Sequence, residues 1–70
     1  MRYFFELIGG GVNLPDMLGT QLADDTVAHN EAMRRAEHHS QVQRHQGHSG
    51  HRSVRVRDER GRVVADVPIE

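Results

Sequence analysis

Five of the six histidines, His38, His39, His45, His48 and His51, fall within fourteen residues, and the last three recur at intervals of three. Imidazole is the commonest nitrogen ligand for divalent transition metals, so His45, His48 and His51 form a candidate site for Zn or Ni. On a helix, three-residue spacing sets the rings along one flank, whereas Gly47 and Gly50 suit a loop that wraps an ion. The sequence leaves both open. The tract contains neither Cys nor a carboxylate, and a solvated polar loop with weak metal affinity is the simpler account. Imidazoles beside Arg44 and Arg52 would also repel one another on protonation, between about pH 5 and 7.

A second cluster is cationic. All nine basic residues are Arg and none is Lys, which suits planar, bidentate contacts with carboxylate or phosphate. Residues 1–33 carry Arg2 against Glu6, Asp16, Asp24, Asp25 and Glu31, while residues 34–62 carry eight Arg against Glu37, Asp58 and Glu59. Arg52, Arg55, Arg57, Arg60 and Arg62 gather near the C-terminus as a candidate basic surface for an acidic protein. Nucleic acid fits less well, because the aromatic residues that stack bases, Tyr3, Phe4 and Phe5, lie at the other end of the chain. The simpler account is a solvated face paired with Asp58, Glu59, Asp66 and Glu31.

Catalytic equipment is not evident. Ser40, Ser49 and Ser53 have histidines nearby in sequence, yet no motif frames a nucleophile with a base and an orienting acid. Gly9-Gly10-Gly11 lacks the spacing of a dinucleotide-binding loop. The expectation is a protein that is not an enzyme.

The elements that would position these groups follow from periodicity. Residues 2–8 are β-rich and aromatic, with Tyr3, Phe5 and Leu7 on one face and Phe4, Glu6 and Ile8 on the other, as in a central strand. The glycines break it, and the turn residues Pro15-Asp16 and Leu18-Gly19 lead to a short strand near Thr20 to Leu22, in a hairpin or wide β-loop. Asp24 or Asp25 caps a helix. Ala28, Ala32 and Ala36, joined by Val27 and Met33, give that helix an apolar stripe of small residues. The stripe fades beyond Ala36, which predicts a frayed end and a mobile His- and Gly-rich loop over about 38–52. Ser53 to Arg57 alternates, Val54 and Val56 inward against Arg55 and Arg57 outward. Asp58-Glu59-Arg60-Gly61 is a tight turn, and Val63, Ala65, Val67 and Ile69 form one face of the returning strand. The order strand-strand-helix-strand-strand predicts a two-layer α+β fold, one helix on a mostly antiparallel sheet, in a single domain spanning 1–70.

Along that order the sequence resembles a bacterial family of small domains known only as a domain of unknown function. The resemblance rests on Arg2-Tyr3-Phe4-Phe5, Pro15-Asp16, Gly19-Thr20, Leu22 with Asp24, Ala28 with Glu31-Ala32, Val56-Arg57-Asp58-Glu59 and Gly61-Arg62-Val63. It implies a compact α+β module and carries over no activity, cofactor or catalytic residue. The tract from His38 to His51 departs from the pattern, for such proteins more often continue an ordinary polar helix there.

Seventy residues without cysteine bury only about 60% of the surface that the unfolded chain exposes. A core this thin invites a second copy, and a homodimer is the expected partner. The lack of cysteine suggests a cytoplasmic location. The apolar opening is too short for a signal-peptide core or a membrane span, so no membrane association is expected. A single helix covering one sheet face would leave Phe4, Ile8 and Val64 as an apolar patch on the other. The sequence therefore points to a non-enzymatic module that self-associates through its sheet and docks an acidic partner on the Arg-rich hairpin. A metal-responsive or nucleic-acid-binding accessory protein, and a small inhibitor of a larger enzyme, are the alternatives.

Overall fold

The computed structural model describes the backbone of residues 1–10, 13–46 and 52–69, and the side chains of these except 42–46. The strands are β1 (Arg2–Ile8), β2 (Thr20–Gln21), β3 (Ser53–Asp58) and β4 (Val63–Pro68), and the helix α1 (Asp25–Gln46) follows β2 in the chain. They form one four-stranded antiparallel sheet in the order β2-β1-β3-β4, with α1 across one face. The two-layer α+β architecture and the order of elements are those the sequence predicts.

Alternation decides what each face carries. In β1, Tyr3 and Phe5 are buried and Leu7 packs against them; opposite Phe5 and Leu7 in β3 stand Val56 and Val54, both fully buried. Branched and aromatic side chains suit this position, because they fill the pleat while losing little further freedom. Strand β4 brings Val67 opposite Val54 and Ala65 opposite Val56.

The helix meets this surface through Ala28, Ala32, Ala36 and Ser40, all buried at four-residue spacing. Its start is set by Asp24, whose carboxylate accepts from Val27 N–H at 2.9 Å, while Asp25 is left for another partner. Each buried methyl-sized group contributes only about 0.8 kcal/mol, so the stripe permits close approach without supplying much adhesion. Other contacts supplement it: the Arg35 guanidinium lies 4.0 Å from the centre of the Phe5 ring, and Arg35 also pairs with Glu31 at 2.8 Å.

Two expectations are corrected. The helix does not fade at Ala36; Ser40 extends the small-residue stripe and the backbone stays helical to Gln46, so the expected loop over about 38–52 is helical in its first part. The other correction is a β-bulge between Val56 and Arg57, where Ala65 pairs with Val56 but Val63 pairs with Arg57. The extra residue, Val64, packs against the core, and Val63 takes the opposite face, 46% exposed. A bulge shifts the alternation by one residue, which periodicity in sequence does not reveal.

Two turns depend on glycine. Gly61 has φ +83° with open space around it, and Gly19 has φ +75° with a would-be Cβ 2.8 Å from Arg2 Cγ and 2.9 Å from Phe4 Cε2. Gly61→Ala should cost about 1–2 kcal/mol, the left-handed strain alone. Gly19→Ala should cost more, because strain adds to displacement of Arg2 and Phe4. Urea unfolding of both variants tests this, and equal costs would contradict the close packing at Gly19.

Candidate functional site

The helix covers the face that carries Tyr3, Phe5, Val54 and Val56, and among the described residues no second layer lies on the opposite, open face. Phe4, Glu6 and Ile8 from β1 lie on the open face beside Arg57, Arg55 and Ser53 from β3. Phe4 and Ile8 are half-buried. Val64 does not join them, for the bulge turns it to the core and puts Val63 in its place.

The Arg-rich hairpin is folded into ion pairs. Arg57 Nε donates to Glu6 at 2.6 Å and its NH1 to the Gly61 carbonyl at 3.0 Å; Arg55 meets Asp66 at 3.3 Å. Arg62 reaches Asp58 at 3.1 Å and Asp25 at 3.2 Å. Among the described residues, Arg52 and Arg60 have no carboxylate partner. Of the histidines proposed for metal, His45 lies within α1, while His48 and His51 fall outside the described residues. Among the described residues no three His, Cys, Asp or Glu side chains are grouped to hold a metal ion.

Two carboxylates organise the loops. Asp16 accepts from Phe5 N–H at 3.1 Å, filling a gap in the ladder beside β1, and from Leu18 and Gly19 N–H at 3.1 and 3.0 Å. Partial burial pushes its pKa upward, but the amides of Gly19, Phe5 and Leu18, with Arg35 nearby, outweigh this and hold it below the ordinary carboxylate value. Asp58, almost wholly buried, accepts from Arg60 and Arg62 N–H inside the β3-β4 turn. Burial again opposes ionisation, and the two amides plus the Arg62 guanidinium win.

Behind the sheet, Tyr3 Oη donates to Asp25 Oδ1 at 2.6 Å. That hydrogen bond, then burial and the charges of Asp25, Asp24 and Asp58, push the phenol up to about 12. A hydroxyl so far from neutrality links helix to sheet and is poorly matched to acid–base catalysis.

On the open face, Phe4, Glu6 and Arg57 line a hollow of about 250 Å³, flanked by Pro15-Asp16 on one side and the Asp58–Gly61 turn on the other. Beside Asp16, Met17 and Leu18 are 82% and 83% exposed. Sequence reasoning treated residues 14–19 only as turn chemistry. The available signal was an Asp followed by Gly three residues on, a pattern that lets a carboxylate gather amides in a tight loop.

Among the described residues this geometry defines an α+β domain of one helix on a four-stranded antiparallel sheet, with no second layer on the other sheet face. The chain belongs to the family DUF6894, a domain of unknown function, whose profile matches residues 2–70. No curated protein and no solved structure matches it. Among the described residues no helix is long and apolar enough to cross a membrane.

Because Tyr3 is the chain's one tyrosine, phenolate absorbance reports it alone. Its ionisation should centre near 12, with a midpoint near the free value of about 10 contradicting the Asp25 link. A pKa raised by folding stabilises the protein below pH 10, and that contribution is lost as pH rises from 10 to about 12. The lowered values of Asp16 and Asp58 act in the other direction. Their stabilisation is present above the ordinary carboxylate value of about 4 and lost as pH falls through their folded values. Thermal melts in acid should show that fall, and a flat profile down to about pH 2 would contradict it.

Proposed function

We propose that this chain is a non-enzymatic cytoplasmic interaction module that pairs with a second copy of itself through the open face of its sheet. The observation that carries this is the composition of that face. Half-buried Phe4 and Ile8 and exposed Val63 flank two ion pairs, Arg57 with Glu6 and Arg55 with Asp66. Apolar groups around internally balanced charge make a surface complementary to itself, since under a two-fold axis each guanidinium can meet a carboxylate of the other copy.

The same pairing disfavours an acidic protein or nucleic acid as the occupant. Such a partner would have to displace Glu6 and Asp66 from the guanidiniums they already hold, leaving Arg52 and Arg60 as its less encumbered contacts. The sheet edges are also poor templates. Ile69 N–H donates to the Arg52 carbonyl, so alternation turns Pro68, which has no N–H, toward the outside of β4. At the other edge β2 is two residues long. The cytoplasmic location rests on the absence of cysteine from the chain.

Light scattering over a dilution series should give twice the chain mass. Phe4→Ser should give a folded monomer by circular dichroism, whereas an unfolded chain would assign Phe4 to the intramolecular core. Val63→Glu removes only an exposed side chain, and should weaken pairing at least about tenfold while leaving the melting temperature nearly unchanged. A wild-type chain that stays monomeric at millimolar concentration contradicts the proposal.

A further inference from the structure

Met17 and Leu18 are the most exposed large apolar side chains among the described residues, at 82% and 83%, and Leu14 beside them is 48% exposed. Their backbone, by contrast, is tightly held. Asp16 binds the Leu18 and Gly19 amides and ties them to Phe5 in β1. The Arg2 guanidinium donates to the Leu18 carbonyl at 2.7 Å. Leu14 exchanges two backbone hydrogen bonds with Leu7, at 3.0 and 2.9 Å. Gly19 fixes the exit of the loop in a conformation other residues rarely adopt.

A loop braced at so many points, yet turning its largest apolar groups into water, is arranged for contact. Rigid presentation lowers the ordering cost of binding, and Met adapts its shape to the site it enters. The hollow lies next to this loop, since Pro15 and Asp16 line it together with Phe4 and Arg57. Projection and hollow are thus neighbours along the chain, for Met17 and Leu18 directly follow the Pro15-Asp16 pair that lines the hollow. A two-fold axis beside them lets the projection of each copy enter the hollow of the other in a single symmetric contact.

Resting on the proposed face-to-face pairing, we infer that Met17 and Leu18 insert into the Phe4-Arg57 hollow of a second copy and set the register of the pair. The occupant is another copy of this chain because the hollow stands on the same face, is lined by the same loop, and has the volume of about 250 Å³ suited to one or two aliphatic side chains.

The full chain contains no cysteine, which makes cross-linking unambiguous. Met17→Cys and Glu59→Cys, the second among the residues lining the hollow, would be prepared separately and mixed under mild oxidation. The mixture should form a disulfide-linked pair at least about tenfold faster than either variant alone. Met17→Ser with Leu18→Ser should raise the dissociation constant at least about tenfold without changing the circular dichroism spectrum or melting temperature. If the wild type is a dimer but the mixture cross-links no faster than the separate variants, the insertion is wrong and the face-to-face pairing stands. If the wild type is a monomer, the pairing itself fails, and the insertion with it.

Discussion

Ala28, Ala32, Ala36 and Ser40 put only small groups on the helix side of its contact with the sheet, whose own side is filled by Tyr3, Phe5, Val54 and Val56, and the rest of the molecule adjusts to that closeness. Small groups let two backbones approach but bury little apolar area, so the interface needs additional links. Tyr3 and Asp25 supply one from sheet to helix start, Arg62 extends it to Asp58, and Arg35 covers the Phe5 ring while pairing with Glu31. With one helix among the described residues, the layer that seals one face has no counterpart on the other.

The loops show a second use of polar groups in a chain with few large apolar residues. Asp16 and Asp58 each collect backbone amides that the ladder cannot satisfy, and in both the amides overcome the cost of burying charge. Residues through which the sequence resembles its family are largely these builders. Tyr3, Asp16, Gly19, Asp24, Ala28, Ala32, Asp58 and Gly61 hold turns, caps, close approaches or the helix-to-sheet link. Others of that set, Phe4, Pro15, Arg57 and Glu59, line the hollow on the face away from the helix.

Much of the fold was legible because it depends on local period. Alternation in β1 and β3 placed Tyr3, Phe5, Val54 and Val56 together, and the spacing of the alanines identified the helix. The bulge was not legible, since the unpaired Val64 looks like any other strand residue until its partner strand is known. The helix was underestimated because a serine does not register as apolar, although Ser40 is buried in line with the alanines before it. Asp66, Asp58 and Glu31 were legible as partners of the arginines, but Glu6 was not, because it is 51 positions from Arg57 and only the pairing of β1 with β3 brings them together. Met17 and Leu18 gave no signal at all, for an apolar pair after Pro-Asp reads equally well as part of a buried turn.

The central claim is that the open face of the sheet is where this chain meets another copy. A dilution series of amide NMR spectra, taken from millimolar to low micromolar protein, tests it residue by residue. Concentration-dependent shifts should concentrate at Phe4, Glu6, Arg55, Arg57 and Val63 and in the Pro15–Leu18 loop, leaving Thr26, Asn30 and Glu37 on the helix unmoved. Shifts centred on the helix, or none anywhere across the series, would contradict it.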